Sequence, residues 1–515
     1  MKRIIAMILT FALLAASLSG CAGVNPDSYV PTGGGLTWEE DETHPTVTQP
    51  VEKDQKVTLT YYPDQSMNPY LCSDFTNRAL FGLLYQSLFV VDRNYHVEPQ
   101  LCSQYKVSQE MDVYTFYIAK ATFSDGSALT AQDVAASLLE AKESAVYKGR
   151  LIHVSEVTVT ADGGVQVKLD TPYEDLPSLL DIPILKQNQL KQDYPLGTGP
   201  YFFESATGGK QLYRRDDWWC RADMAVTAAS ITLVTAQSPA QIRDSFEFDS
   251  LSLVCADPGS DRYVDFRCDY ELWDAENGIF LYLACNMVSQ VFSVPEVRAA
   301  LTFAIDRDTL VDTYYRGFAR SATLPASPQF PYYSAKLAQQ YGFDAAKFTQ
   351  AVSDAQLRDT PVILLVNKDD SLRLRVARDI GDMLANCGLA VEMKELSGSK
   401  YTDALQKREY DLYLGQTKLS ANMDLSAFFA ANGALSYGTI NDVATYTLCL
   451  QALANHGNYY TLHKAVMDDG RLCPVLFRSY AIYATRGLMS DLSPTRDNVF
   501  YYSLGRTMEN ALIKE

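Results

Sequence analysis

The sequence predicts an α/β fold, and three observations carry that expectation. A folded body opens with strand-like alternation at Val57-Thr58-Leu59-Thr60-Tyr61. Further on, strand-like runs at 362–366 and 411–414 alternate with helical periods such as 371–386, which is how layered α/β units are built. With 515 residues and 47% hydrophobic content, the chain can bury large cores in two or three structural units.

The first residues are read apart from the fold. Lys2 and Arg3 precede an apolar run over 4–18 and small residues up to Cys21, the layout of a secretory signal spanning 1–20. That run is shorter than the roughly 20 residues a helix needs to cross a bilayer. It ends in Ser19 and Gly20 rather than in a basic stop-transfer cluster. Residues 21–55 carry Gly33-Gly34-Gly35 and Glu39-Glu40-Asp41-Glu42 and no apolar period, so they read as a disordered tether. As a flexible coil, such a tether has an end-to-end distance on the order of 30 Å.

Within the body, a strand over 113–118 leads through Phe123-Ser124-Asp125-Gly126 to Thr130 and Asp133, which have capping-box spacing. A helix should follow, with Val134, Leu138 and Ala141 on its packing face. Gly197-Thr198-Gly199-Pro200 is a turn before the bulky strand Tyr201-Phe202-Phe203. A second apolar strand is expected over 279–285. A helical period at Val297, Ala300, Leu301 and Ala304 follows it, entered through Pro295.

The charge balance excludes several functions. The formal net charge is -18, and loss of Lys2 and Arg3 with a leader makes the mature chain more acidic still, so nucleic acid is not an expected partner. Nine cysteines besides Cys21 are scattered without a Cys-x-x-Cys pair, and several, such as Cys255 and Cys285, sit in apolar runs as small core residues. An odd number of them leaves at least one thiol free. The five histidines form no His-Glu-x-x-His motif, and no Gly-x-Ser-x-Gly elbow occurs. Gly208-Gly209-Lys210 is followed by Gln211 and lacks phosphate-loop spacing. No catalytic residue, metal site or cofactor is therefore expected.

Two sets of residues resemble known families. Leu18-Ser19-Gly20-Cys21 resembles the lipobox of bacterial lipoproteins, which implies lipid attachment at Cys21. The body, from about 57 to 506, resembles the bacterial extracellular solute-binding proteins of family 5, receptors of peptide, dipeptide and nickel ABC importers. The resemblance is carried by Met67-Asn68-Pro69, Leu83-Leu84-Tyr85-Gln86-Ser87-Leu88-Phe89, Phe123-Ser124-Asp125-Gly126 with Leu129-Thr130-Ala131-Gln132-Asp133-Val134, and Gly197-Thr198-Gly199-Pro200-Tyr201. Val297-Arg298-Ala299-Ala300-Leu301 with Ala304-Ile305-Asp306-Arg307 continues it.

The resemblance implies a periplasmic-binding-protein-like α/β fold of cluster C type, with two lobes, a hinge and an extra subdomain in lobe I. Lobe I is expected at 56–278 and 478–515, its inserted subdomain near 76–184, and lobe II at 279–477. A monomeric receptor follows, held by its lipid on the extracytoplasmic face of the bacterial membrane. It would capture a small peptide or peptide-like solute and deliver it to an ABC permease with its ATPase. Two other classes remain open: a membrane-tethered sensor or presenter without a transport role, and, more remotely, a hydrolase acting on extracellular peptides or glycans.

For the site, the segment after Asn-Pro points to Ser73, Asp74 and Phe75, with Phe75 equally readable as core. The strand entering lobe II points to Tyr282 and Asn286, as ligand contacts or as hinge braces, and the returning segment points to Phe477 and Arg478. Peptide-binding relatives carry Gly-Trp and then an Asp that pairs with the ligand's α-ammonium. Here Gly415 is followed by Gln416, and either Asn422 or Asp424 falls at the acidic position. An amide there would hold an ammonium less well than a carboxylate, which favours capped, modified or non-peptide ligands.

Overall fold

The computed structural model describes residues 56–203, 211–220, 227–235, 238–260, 263–488, 492–504, 506 and 508–513. The expected signal peptide, Cys21 and the tether at 21–55 lie outside the described residues. Among the described residues, no helix is long and apolar enough to cross a membrane.

The body begins at β1 (Val57–Thr60), whose four residues are all buried. The chain then leaves the main sheet to build a smaller unit. A hairpin of β2 (Phe89–Val91) and β3 (Val97–Pro99) precedes β4 (Cys102–Val107), β5 (Val113–Ile118), β6 (Val154–Val159) and β7 (Val165–Leu169). The last four form an antiparallel sheet in the order β4-β5-β7-β6. The helix Ala131–Glu143 packs on this sheet. Its capping box forms as expected: Asp133 N donates to Thr130 Oγ1 at 3.3 Å and Thr130 N donates to Asp133 Oδ2 at 3.0 Å. Such a cap stabilises a helix by about 1 kcal/mol. Val134, Leu138 and Ala141 are buried beneath it.

The main sheet resumes with β8 (Tyr201–Phe203), β9 (Gln211–Arg214), β10 (Ser230–Val234) and β11 (Leu253–Ala256). Before β8 the turn presses onto the preceding unit: a Cβ on Gly197 would lie 2.1 Å from the Leu84 carbonyl oxygen. The remaining strands are β12 (Glu271–Cys285), β13 (Ala319–Ser321), β14 (Pro361–Asn367), β15 (Ala390–Leu396), β16 (Leu412–Lys418) and β17 (Leu472–Ala484). The helix Ser371–Asn386 and the first turns from Pro295 lie where the periodicity placed them.

One sheet runs through the body in the order β15-β14-β16-β12-β17-β11-β1-β10-β9-β8, with β13 also paired to β17. Among the described residues only β12 and β17 extend through both halves. Glu271 to Glu276 pair with Ala484 back to Ser479 beside the β11–β1 half, and Phe280 to Ala284 pair with Phe477 back to Leu472 beside the β16–β14 half. Between them the register breaks, and Gly278 takes φ +71°, left-handed backbone that favours glycine. This break gives two lobes joined by paired crossing strands. The apolar run at 279–285 is thus the second half of a longer strand, whose first half carries Asp274, Glu276 and Asn277 and shows no apolar period.

The lobe around β14–β16 covers its sheet on both faces. Leu281, Leu283 and Cys285 pack in one core with Leu364 and Leu412, while Phe280, Tyr282 and Ala284 pack in a second with Leu365 and Tyr413. Burial on both faces is why β12 reads as continuous apolar sequence here. All nine cysteines in the described residues are free, and none is fully exposed.

Candidate ligand-binding cleft

Between the lobes lies a cleft of about 800 Å³, the size of a small-molecule or short-peptide site. Its walls come from the segment at Ser73, Phe75 and Arg78, the end of the helix Ala131–Glu143 with the loop after it, the end of β16 with the segment on to Leu435, β17 at Tyr480, and Arg496. Phe75 stacks on Tyr480 with ring centroids 3.7 Å apart, fixing an aromatic wall where the crossing strand meets the first lobe.

Ser73, Phe75 and Asp424 line the cleft. The other residues singled out in the sequence are placed elsewhere. Asp74 caps the turn Phe75–Arg78, accepting from Asn77 N at 3.0 Å. Tyr282 and Phe477 face the second core of their lobe, where Phe280 stacks on Phe477 at 4.9 Å. Asn286 sits past the end of β12, donating to the Tyr410 carbonyl at 2.8 Å. Gln416 accepts from Arg478, whose Nη2 reaches both Asp257 oxygens at 2.7 Å. Asn422 is buried, its carbonyl bonded by the Tyr459 hydroxyl at 2.6 Å.

Asp424 is already engaged. Its oxygens accept from Ser426 N and Ser426 Oγ, both at 2.8 Å, and His153 Nε2 from the opposite lobe stands 3.6 Å away, an ion-pair contact longer than a hydrogen bond. His153 Nδ1 lies 3.1 Å from Asp170. Burial alone would lower the pKa of this imidazole, but the two carboxylates outweigh it and hold it above the ordinary histidine value.

Beneath the cleft lies a charged floor. Asp497 accepts from Arg150 Nη2 at 2.7 Å, Lys418 Nζ at 2.6 Å and Arg496 Nε at 3.2 Å. Arg150 also pairs with Asp181, and Arg496 donates to the Leu419 carbonyl. Burial would push Asp497 up, but its three cations hold it well below the usual carboxylate range. Burial pushes Asp181 up to about 6 against the pull of Arg150. Although its side chain is 39% exposed, Lys418 is pushed down to about 8, first by desolvation and then by Arg496, Arg78 and Arg150, with Asp497 opposing.

None of these cations was singled out in the sequence. Lys418 lies between Gln416 and Asp424, where attention to an ammonium anchor selects acids. Tyr480 had a readable signal, since period-2 alternation puts it on the same face as Arg478. Arg150 and Arg496 are brought together only by tertiary structure. Among the described residues no three His, Cys, Asp or Glu side chains are grouped to hold a metal ion.

Two α/β lobes, paired crossing strands and a cleft between them define a two-lobed solute-binding protein. Residues 96–435 match the family described as bacterial extracellular solute-binding proteins, family 5 middle. The chain belongs to this family, whose members are extracytoplasmic solute-binding components of ABC importers. It is 22% identical over 397 residues to the glutathione-binding protein GsiB of Salmonella choleraesuis (strain SC-B67), covering 72% of this chain and 73% of that protein. Among solved structures, the ABC transporter substrate binding protein CtaP of Listeria monocytogenes superposes with TM-score 0.72 at 16% identity, covering 90% of this chain and all of that one. The oligopeptide-binding protein AppA of Bacillus subtilis, in complex with a nonapeptide, gives TM-score 0.62 at 18% identity over 88% of this chain and 99% of that one.

Proposed function

We propose that this chain is the lipid-anchored, monomeric receptor of an ABC importer that takes up a peptide or peptide-like solute. The lipid on Cys21 and the tether at 21–55 hold the body at the extracytoplasmic face of the membrane. Solute enters between lobe I (56–278 and 478–515) and lobe II (279–477). Closure about the crossing strands then presents the loaded receptor to a permease whose ATPase works inside the cell. The receptor itself performs no chemistry.

The observation that carries this reading is the inter-lobe cleft of about 800 Å³, walled by both lobes and by the crossing strand β17. Within it, Ser73, Phe75 and Tyr480 are the proposed ligand contacts. Asp424 is favoured over Asn422 as the polar anchor, because Asp424 reaches the cleft while Asn422 is buried. Closure must be driven by contacts made only in the closed form, since a ligand shifts an equilibrium only by its differential affinity for the two states.

The test is uptake of a labelled peptide pool by cells with and without the neighbouring permease, alongside calorimetry on the purified receptor. Uptake lost with either protein supports the reading. Uptake indifferent to both rejects it. Asp424→Ala should weaken a free-amine peptide at least tenfold, and unchanged affinity removes Asp424 from the anchor role.

A further inference from the structure

Building on the proposed receptor role, we propose that the solute held in the cleft is anionic, its carboxylates facing a cationic floor and rim formed by Arg78, Lys142, Lys148, Arg150, Lys418 and Arg496. The whole chain has 62 acidic against 44 basic side chains, so an unselected patch of its surface should be acid-rich. The cleft reverses that balance: six of its charged lining residues are cationic and one, Asp424, is acidic. That single acid faces the His153 imidazole.

Internal partners leave the cations in surplus. Arg150, Lys418 and Arg496 share two carboxylates, Asp181 and Asp497, as ion pairs, while Arg78 feels the field of Asp497 without touching it and Arg496 also faces the buried Glu276. Arg78 has no ion-pair partner among the described residues and lies over the rings of Phe81 and Tyr147, 5.9 and 5.8 Å from their centroids. Arg496 is 7% exposed, and its buried Nη1 finds no hydrogen-bond partner there. Lys148 is exposed at the rim without an ion pair among the described residues, and Lys142 donates only to the Val154 carbonyl. Burying surplus charge is unfavourable unless something pairs with it. A solute carboxylate entering the cleft supplies that pairing with charge-assisted hydrogen bonds. A cleft lined by one sign of charge also concentrates ligands of the opposite sign, even in a protein whose net charge repels them.

Burial is the main cause of the depressed ammonium of Lys418, and the guanidiniums of Arg496, Arg78 and Arg150 add to it against the pull of Asp497. A bound anion should raise it again, so that binding takes up protons near pH 8.

The experiment is calorimetry on the full chain with three probes of similar size: acetyl-triglutamate, acetyl-triglutamine amide and trilysine amide. The anionic probe should bind at least tenfold tighter than either other, and its affinity should fall steeply with salt. In Lys148→Met/Lys418→Met, which changes only exposed side chains, the anionic probe should lose at least tenfold and the neutral probe less than twofold. Equal or tighter binding of the neutral or cationic probe overturns the anionic selection while leaving the receptor role standing. If no probe binds, mass spectrometry of solute released from protein purified from its native membrane decides. A net negative solute upholds the inference, a neutral or cationic one overturns it alone, and no solute at all overturns the receptor reading with it.

Discussion

Replacing Asp497 by Asn should unfold this protein more readily than any single change at the cleft rim, and the size of the effect follows from burial. The Asp497 side chain is 10% exposed and answers three cations, two of which, Arg150 and Arg496, have side chains only 10% and 6% exposed. Removing one partner from a buried ionic cluster typically destabilises by about 3–5 kcal/mol, because the remaining charges stay desolvated and unpaired. For a body of about 440 folded residues, an unfolding entropy near 2.1 cal/mol/K per residue gives roughly 0.9 kcal/mol/K, so Tm should fall by about 3–5 °C. Lys418→Met breaks one contact of the same cluster, yet that side chain is 39% exposed. Solvent-screened pairs contribute about 1 kcal/mol or less, and Tm should move by no more than about 1 °C. Differential scanning calorimetry on both variants reads this ordering. Equal shifts, or an Asp497→Asn shift below 1 °C, would refute the view that Asp497 is the buried counter-charge of the cleft floor.

Other consequences can be read separately. His463 is fully buried, both ring nitrogens lack hydrogen-bond partners among the described residues, and burial holds its pKa down to about 4. The unfolded chain therefore binds this proton near pH 6.5 and the folded one only near 4, so stability falls as pH drops through that window, by about 3 kcal/mol in total. His463→Leu should flatten the acid limb of a Tm-against-pH curve, and an unchanged limb contradicts the assignment. Because Lys418 is pushed down to about 8, affinity for acetyl-triglutamate should fall as pH rises from 7 to 9.5. Loss of that pH dependence in Lys418→Met confirms the group, whereas persistence points elsewhere. All nine cysteines in the described residues are free, so unreduced, denatured protein should yield nine thiols by Ellman titration. A markedly lower count would indicate disulfides.

Much of the architecture was legible because local chemistry and tertiary placement agree. Thr130 and Asp133 announce a capping box that forms, and the 371–386 period gives the helix Ser371–Asn386. The long crossing strand β12 was half hidden, since its first part carries Asp274, Glu276 and Asn277 where pairing, not apolar period, makes the strand. Tyr282 illustrates a further limit. Its type suits a ligand contact, but the lobe's sheet is covered on both faces, and alternation sends Tyr282 into the second core. The cationic floor was invisible for a different reason. Arg78, Arg150, Lys418 and Arg496 come from four distant segments, and a net charge of -18 conceals a local field of opposite sign.

The central claim is that the lobes close around a solute. Small-angle scattering on the full chain, with and without a saturating concentration of the tightest-binding probe, tests it most directly. The account predicts a smaller radius of gyration with solute bound, and abolition of that change in a variant that no longer binds the probe. An unchanged scattering profile under demonstrated saturation would contradict capture by closure.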